Sequence, residues 1–241
     1  MAEIASNTSK RSKASRNKTD PLKHFYNNDD KYEIGVDEVG RGPMLGRVYT
    51  AAVVLPKDDS FNHSWMKDSK RFSSKKKITE VAEYIKQNAL AYSITYESEE
   101  AIDNKNIRQA VLSSMHNSIK TCLDKICSSN ALLLIDGSDF KPYVQFNKDT
   151  GLYSQIDSVC IEGGDNKYTA IAAASILAKV ARDVYIEELC NEYPMLDEKY
   201  GILSNKGYGT KKHMDGIKEY GITAFHRRTY GICRNYTVDK L

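Results

Sequence analysis

Residues 32–43 read YEIGVDEVGRGP, a strand-like run followed by two acids and a glycine-rich turn. Its first part, residues 32–36, is a β-branched and apolar run that is typical of a buried strand. Two adjacent acids, Asp37 and Glu38, close the run, and a glycine-rich turn follows. A second run of the same kind occupies residues 48–55. The sequence therefore predicts two neighbouring strands, with a pair of carboxylates at the end of the first.

Further strands and helices follow in alternation. Residues 91–96 and 157–161 have strand character, and residues 131–135 form a compact apolar run that ends at Asp136 and Gly137, as a buried central strand would. Apolar residues recur at helical spacing within residues 78–89 and 107–126. A third helix, rich in Ala, Ile, Leu and Val, is predicted over residues 169–189 and should be the best buried.

These elements predict an α/β domain with a central mixed β-sheet flanked by helices, followed by a helical and basic carboxyl-terminal part. The domain is expected to span residues 31–241. Residues 1–30 are rich in Ser, Asn and Lys and contain little to bury, which predicts a disordered basic arm. A solvated tail, a source of phosphate attraction and a nuclear address all remain open for this arm, and activity should survive its removal.

Composition excludes some classes of protein but does not select a partner. A net charge of +3 and a pI near 8.4 suit many ordinary enzymes as well as nucleic-acid-binding proteins. No apolar run is long enough to span a bilayer, so no membrane partner and a cytoplasmic location are expected, or a nuclear one if the source is eukaryotic or viral. The 5 cysteines contain no C-x-x-C pair, which argues against a zinc site and a disulfide framework.

Four acids are candidates for one site: Asp37, Glu38, Asp136 and Asp165. Carboxylates that converge at one sheet edge repel one another unless a cation lies between them. Hard oxygen ligands suit Mg²⁺ or Mn²⁺ better than zinc. With 32 acidic residues in the chain, however, spacing alone leaves open that some lie at strand ends by chance.

The residues around these acids carry a family resemblance. The block GVDEVGRGP at residues 35–43 resembles the signature D-E-x-G-R-G-P of type 2 ribonuclease H, called ribonuclease HII in bacteria. The resemblance extends over roughly residues 34–230. It continues, in the family's order, through DSK at 68–70, DG at 136–137, GD at 164–165, AAASI with AK at 172–179, KGYGT at 206–210 with His213, and HRR at 226–228.

The resemblance implies a ribonuclease H-like fold in which Asp37, Glu38, Asp136 and Asp165 are the catalytic and metal-binding acids, with Mg²⁺ or Mn²⁺ as cofactor. Two such ions about 3.5 to 4 Å apart activate a water and stabilise the leaving oxygen of a phosphodiester. The implied reactions are hydrolysis of the RNA strand of RNA–DNA hybrids and incision 5′ of single ribonucleotides in duplex DNA. They serve ribonucleotide and primer removal and leave 5′-phosphate and 3′-hydroxyl ends.

The resemblance also implies how the substrate is read. Gly40, Arg41 and Gly42 form a loop that reads a ribose 2′-hydroxyl, the group that distinguishes RNA from DNA. Arg41 separates the chain from ribonuclease HIII, which lacks the G-R-G pattern. Tyr208 matches a tyrosine that packs against the deoxyribose after the ribonucleotide. A core tyrosine in a glycine-rich turn is the alternative for Tyr208.

Phosphate contacts are expected from basic and hydroxyl side chains in the same blocks. Ser175 and Lys179 are four residues apart and should share a helical face. Asp183 is either structural or close to the site. The candidates for phosphate contacts are Lys70, Ser175, Lys179, Arg182, His213, Arg227 and Arg228.

The chain departs from the family pattern in four places, one of which is a long spacer from Pro194 to Lys206. Arg47 stands where proline is usual, and Asn205 stands where many relatives have histidine. The interval between Asp136 and Asp165 is long, and the extra residues at 140–154 are expected to form a surface loop. These departures are expected to change the local geometry but not the reaction.

Two other functions compete with the ribonuclease. One is a nucleic-acid-binding module without catalysis, suggested by the basic arm and carboxyl third. The other is a DNA-cutting nuclease of the same superfamily, which would share the acids and metals but not the G-R-G block and Tyr208. A monomer is expected, and no clamp-binding peptide is evident at the carboxyl end.

Overall fold

The computed structural model describes residues 21–147 and 151–238, so the basic cluster of the amino-terminal arm lies outside the described residues. The strands are β1 (Tyr32–Val39), β2 (Val48–Val54), β3 (Ala91–Glu97), β4 (Ala131–Asp136), β5 (Val144–Asn147), β6 (Leu152–Gln155) and β7 (Asp157–Ile161). The helices are α1 (Lys75–Asn88), α2 (Glu99–Lys105), α3 (Ile107–Ile126), α4 (Thr169–Glu192), α5 (Met195–Tyr200), α6 (Ile202–Asn205) and α7 (Lys211–Tyr220).

The central sheet is mixed and has the strand order β3-β2-β1-β4-β7. β1 pairs antiparallel with β2 and parallel with β4, which in turn pairs parallel with β7. The register places Val36 opposite Ile135, so the acids that end β1 and β4 lie side by side at one edge of the sheet. The predicted α/β class with a mixed sheet is confirmed.

Helices cover both faces of this sheet. α4 lies against β1 and β2 on one face, where a Cβ on Gly35 would be only 2.2 Å from the backbone carbon of Ala170. Glycine at position 35 therefore allows the helix backbone to contact the strand directly. On the opposite face Ile34 and Val36 pack with residues of α3 in a second apolar cluster. The two layers fix the end of β1 from both sides.

The long interval between Asp136 and Asp165 contains a hairpin rather than the surface loop expected from the sequence. β5 and β6 pair antiparallel, and at the base of the hairpin the Ile156 N–H donates to the Tyr143 carbonyl at 3.0 Å. Tyr143 and Phe140 make edge contacts with the ring of His116 on α3. Local strand pairing and these ring contacts order the insertion.

Residues 21–30, predicted from the sequence to belong to the disordered arm, contact the domain in the structure. The Lys23 N–H donates to the Lys167 carbonyl at 2.8 Å. The carboxylate of Glu33 accepts the N–H groups of Tyr26 at 2.7 Å and Asn27 at 2.8 Å. Glu33 is buried, and a buried carboxylate needs such donors.

The carboxyl-terminal part is helical, as predicted, with α5, α6 and α7 followed by a 3-10 turn at Gly231–Asn235. Cys122, Cys190 and Cys233 are buried free thiols, whereas Cys127 and Cys160 are exposed. Among the described residues, no helix is both long and apolar enough to cross a membrane.

Candidate active site

A cleft with a volume of 550 Å³ opens at the sheet edge where β1 and β4 end. Acids from separate elements and residues of the glycine-rich loop meet there. The predicted catalytic and metal-binding acids and most of the residues predicted to contact the substrate line it: Asp37, Glu38, Gly40, Arg41, Gly42, Lys70, Asp136, Asp165, Ser175, Lys179, Arg182 and Tyr208. The sequence blocks thus converge on one place in the fold.

Asp37 is the most enclosed of the acids, with 5% of its surface exposed. Its Oδ1 accepts the N–H of Glu38 at 2.7 Å, and the Ser175 hydroxyl of α4 also hydrogen-bonds to it. Burial raises the pKa of the Asp37 carboxyl well above its ordinary value, and the charges of Glu38 and Asp136 raise it further. The free carboxylate is therefore costly here without a positive charge nearby.

Glu38 faces the glycine-rich loop. Its Oε1 lies 3.3 Å from the guanidinium nitrogen Nη1 of Arg41. Burial raises the pKa of the Glu38 carboxyl, as does the charge of Asp136, while Arg41 opposes the shift. Arg41 therefore supplies only part of the positive charge that these acids need.

Asp136 and Asp165 complete the group from the other side of the cleft. The Gly164 N–H donates to Asp136 Oδ1 at 2.6 Å, which ties the end of β4 to the short 3-10 turn that carries Asp165. Burial raises the pKa of the Asp165 carboxyl, with Asp136 and Asp68 adding to the shift and Lys70 opposing it. Mutual repulsion thus extends over all four acids.

This donor set fits a hard divalent cation. Carboxylate oxygens are the preferred ligands of Mg²⁺ and Mn²⁺, and an ion between the acids would offset both the cost of their burial and their mutual repulsion. Within residues 21–147 and 151–238, no three Asp, Glu, His or Cys side chains are arranged so that they could hold a metal ion without moving. The carboxylates would have to turn towards one another to share an ion.

The polar residues of α4 in the cleft have partners within the protein. The Ser175 hydroxyl is buried and lies 3.1 Å from that of Ser69, beneath Asp37 rather than at the surface. Lys179 is partly exposed and forms an ion pair with Asp183 at 2.5 Å. Lys179 can thus meet a phosphate, whereas Ser175 is better placed to orient Asp37.

Arg182 and Arg227 were expected to contact phosphates, but the structure buries both. Arg227 donates to the carbonyls of Gly46 at 2.8 Å, Arg41 at 2.9 Å and Gly40 at 2.6 Å. Arg182 donates to the carbonyls of Arg47 at 3.2 Å and Leu45 at 3.3 Å. The exposed fractions of Arg227 and Arg182 are 0% and 2%, so both guanidiniums bind backbone carbonyls of residues 40–47, even though Arg182 borders the cleft.

His213 and Arg228 also differ from the expectation of phosphate contacts. His213 is fully buried and bonds to His226, a residue of the HRR block for which the sequence predicted no separate role. Arg228 donates through its backbone N–H and its Nε to the carboxylate of Asp103. Neither side chain lines the cleft.

Tyr208 projects from a turn over residues 205–210, named here the tyrosine turn. Its side chain is 49% exposed, and a Cβ on Gly42 would be 3.4 Å from its ring. The side chain of Asn205 braces the turn by donating to the Tyr200 carbonyl and accepting the Gly207 N–H. The tyrosine is therefore a surface group of the cleft and not a core residue.

The chain is similar to ribonucleases H in sequence and in structure. The ribonuclease HII family model matches residues 34–233. Ribonuclease HII of Bacteroides thetaiotaomicron is 42% identical over 207 residues, which cover 86% of this chain and 93% of that protein. Ribonuclease HII of Nitrosomonas europaea is 42% identical over 219 residues, 91% of each chain.

Among solved structures, ribonuclease H2 from Pyrococcus horikoshii OT3 superimposes with a TM-score of 0.65 at 22% identity. The match covers 84% of this chain and 95% of that one. At this identity the likeness establishes the fold, and the ribonuclease H-like architecture expected from the sequence is confirmed.

Proposed function

Since this chain belongs to the ribonuclease HII family and is a type 2 ribonuclease H, we propose that it incises duplex DNA on the 5′ side of single embedded ribonucleotides as well as cleaving RNA–DNA hybrids. The observation that carries the proposal is the meeting of the four acids with the Gly40–Gly42 loop and Tyr208 in one cleft. This arrangement supports a hydrolytic centre that works beside groups able to recognise sugars.

The acids have separate supports in the proposed mechanism. Ser175 and the Glu38 N–H orient Asp37, while the Gly164 N–H orients Asp136. Asp37, Glu38, Asp136 and Asp165 would hold Mg²⁺ or Mn²⁺. Such ions lower the pKa of a water nucleophile and stabilise charge on a phosphodiester undergoing hydrolysis. Lys179 and Lys70 attract the phosphate backbone from the rim of the cleft.

Recognition of the ribonucleotide is assigned to the glycine-rich loop. Gly42 has no side chain, so the loop backbone and the Tyr208 ring can approach a sugar from two directions. A hydrogen bond to the 2′-hydroxyl would select ribose without reading the base, and contact of Tyr208 with the following sugar would favour deoxyribose there. Cleavage independent of base sequence is the expected result.

The first test is cleavage of a labelled DNA duplex containing one ribonucleotide, with Mg²⁺, Mn²⁺ or a chelator. Asp136→Asn should abolish incision while the variant still binds the duplex. Asp157→Asn is the matched control, because Asp157 lies at the other end of the β4–β7 pair and bonds to Lys31. Loss of both binding and cleavage, or no metal-dependent incision by the wild type, would count against the proposal.

The role of Tyr208 is tested by comparing two substrates. Tyr208→Ala should weaken incision at a single embedded ribonucleotide more than cleavage of a long hybrid, because only the former contains the required junction. Tyr153→Ala, which removes a tyrosine 75% exposed on the hairpin, is the control. Equal losses on the two substrates would refute the junction role.

A further inference from the structure

The tyrosine turn is fixed through three successive backbone carbonyls. The carbonyl of Lys206 accepts from Arg182 at 2.9 Å, and that of Gly207 accepts from the Met44 N–H at 2.8 Å. The carbonyl of Tyr208 accepts the N–H of Thr210 at 2.8 Å and meets Nδ1 of His213 at 3.0 Å. The backbone is therefore held tightly beneath a side chain that is half exposed.

His213 and His226 form a buried pair behind this turn. Their Nε2 atoms lie 3.1 Å apart, and their exposed fractions are 0% and 2%. Burial lowers the pKa of both imidazoles, that of His226 to about 3, so both rings are neutral near pH 7. A neutral imidazole has one donor and one acceptor nitrogen, and the surroundings decide which is which.

The partners allow only one proton arrangement for this pair. The carbonyl of Tyr208 can only accept, so Nδ1 of His213 carries the hydrogen and its Nε2 is an acceptor. The Thr223 N–H points at Nδ1 of His226 at 3.0 Å, so Nδ1 accepts there and Nε2 carries the hydrogen. His226 therefore donates to His213, which donates to Tyr208. A directed chain of hydrogen bonds ends on the tyrosine turn.

The segment that contains His226 also holds the glycine-rich loop. His226 forms a backbone bridge with Leu45, and the next residue, Arg227, donates to the carbonyls of Gly40 and Arg41. One dipeptide thus acts on both sides of the cleft, on the Gly40–Gly42 loop directly and on Tyr208 through His213. The separation between these two sugar-reading groups depends on it.

We propose that His213 and His226 are positioning residues that set Tyr208 against the Gly40–Gly42 loop and thereby determine selectivity for a ribonucleotide followed by deoxyribose. The proposal rests on the proposed function, because the selectivity concerns that same cleft. Both histidines are buried and neither lines the cleft that contains the acids, so the chemistry of hydrolysis is not theirs. The two histidine side chains affect the position of the Tyr208 ring.

Two substitutions at position 213 distinguish the two hydrogen bonds of His213, the one to Tyr208 and the one to His226. In His213→Asn the amide nitrogen replaces Nδ1 and keeps the bond to the Tyr208 carbonyl. In His213→Gln the amide reaches the place of Nε2, so the bond to His226 is kept and the bond to Tyr208 is lost. Both replacements are polar and uncharged. His116→Gln is the control, because His116 lies on α3 outside the cleft lining and bonds to the carbonyl of Lys141.

The measured quantity is the ratio of incision rates on a single embedded ribonucleotide and on a long hybrid. We expect His213→Gln and His226→Leu to lower this ratio about tenfold, the scale of one buried hydrogen bond, with His213→Asn within about twofold of wild type. Thermal unfolding of each variant shows whether it is folded at the assay temperature. If His226→Leu does not fold, the comparison of His213→Asn with His213→Gln still tests whether the bond to Tyr208 sets the ratio.

A double-substitution cycle then tests whether the histidines act through Tyr208. In a Tyr208→Ala background, His213→Gln should cause no further fall in the ratio, because the ring that it positions is absent. A further fall equal to that seen in wild type would overturn the proposal, as would equal ratios for Asn and Gln at position 213. A wild-type chain that cleaves neither substrate would overturn the proposed function and this inference together.

Discussion

The guanidinium of Arg182 occupies the space that a side chain at position 40 would need: a Cβ on Gly40 would lie 2.4 Å from Nε of Arg182. The backbone φ of Gly40 is +98°, a conformation that residues with a side chain rarely adopt. Both the conformation and the neighbour therefore require glycine at this position.

Gly40→Ala should destabilise the fold by about 2 kcal/mol or more and reduce cleavage of both substrates, because the loop must shift away from Arg182. Denaturant unfolding and cleavage rates measure the two effects. Gly151→Ala is the control, since its φ of +69° is also positive but no atom lies within 4 Å of the added Cβ. Similar losses in the two variants would show that strain, and not the contact with Arg182, is responsible.

Arg227→Lys should lower cleavage of both substrates even though it keeps the charge. A lysine ammonium cannot reproduce the planar fork that binds three carbonyls, and an unsatisfied buried carbonyl costs about 1 to 3 kcal/mol. Arg228→Lys is the neighbouring control, because Arg228 is exposed and pairs with Asp103. Unchanged cleavage by Arg227→Lys would mean that the loop keeps its shape without the guanidinium.

Acid should destabilise the protein partly through His226. Its pKa is lowered in the folded state from 6.5 to about 3, so the unfolded chain takes up a proton first as the pH falls. The stability linked to neutral His226 is complete above pH 6.5 and declines below it, by about 2 kcal/mol at pH 5. Urea unfolding between pH 7.5 and pH 5 measures this change.

His226→Gln removes the titrating group and should flatten that pH dependence. The raised pKa values of Asp37, Glu38 and Asp165 act in the opposite direction, because these carboxyls bind protons more readily in the folded state. The comparison of variant with wild type therefore isolates the histidine. Identical pH profiles for the two proteins would exclude the proposed contribution of His226.

Truncation at two points should have different effects. Removal of residues 1–20 should leave unfolding and cleavage nearly unchanged at moderate salt. Removal of residues 1–30 takes away the N–H groups of Tyr26 and Asn27 that satisfy Glu33, and also the ring of His24 that stacks on His63 at 4.2 Å. The midpoint temperature of thermal unfolding should fall only for the longer deletion. Equal midpoints for the two truncated proteins would contradict this account.

Strands and long helices could be predicted from the sequence because their patterns are local. β1, β2, β3, β4 and β7 are apolar runs, and α1, α3 and α4 repeat apolar residues at helical spacing. α2 was not predicted, because Glu99–Lys105 is short and mostly polar. The hairpin was expected to be a loop, since most of its apolar side chains remain exposed and little alternation marks it.

The positions of the cleft residues followed from the sequence blocks, whereas the partners of the basic residues did not. An arginine that binds a phosphate and one that binds buried carbonyls have the same letter in the sequence. Only the fold shows that Arg182 and Arg227 lie beneath the glycine-rich loop and that His213 faces His226. Burial of a cation depends on contacts between distant segments, which local patterns do not encode.

The hairpin is inserted where it leaves the spacing of the acids unaffected. The chain leaves the cleft after Asp136 and re-enters the sheet at Asp157, which pairs with Leu132 at the far end of β4. The length of the intervening segment is therefore uncoupled from the pairing of Asp136 with Ile161. Such a segment can change in length without altering that pairing, and the exposed Tyr153 of β6, which lies outside the cleft lining, offers an attachment point for a fluorescent reporter or a surface tether.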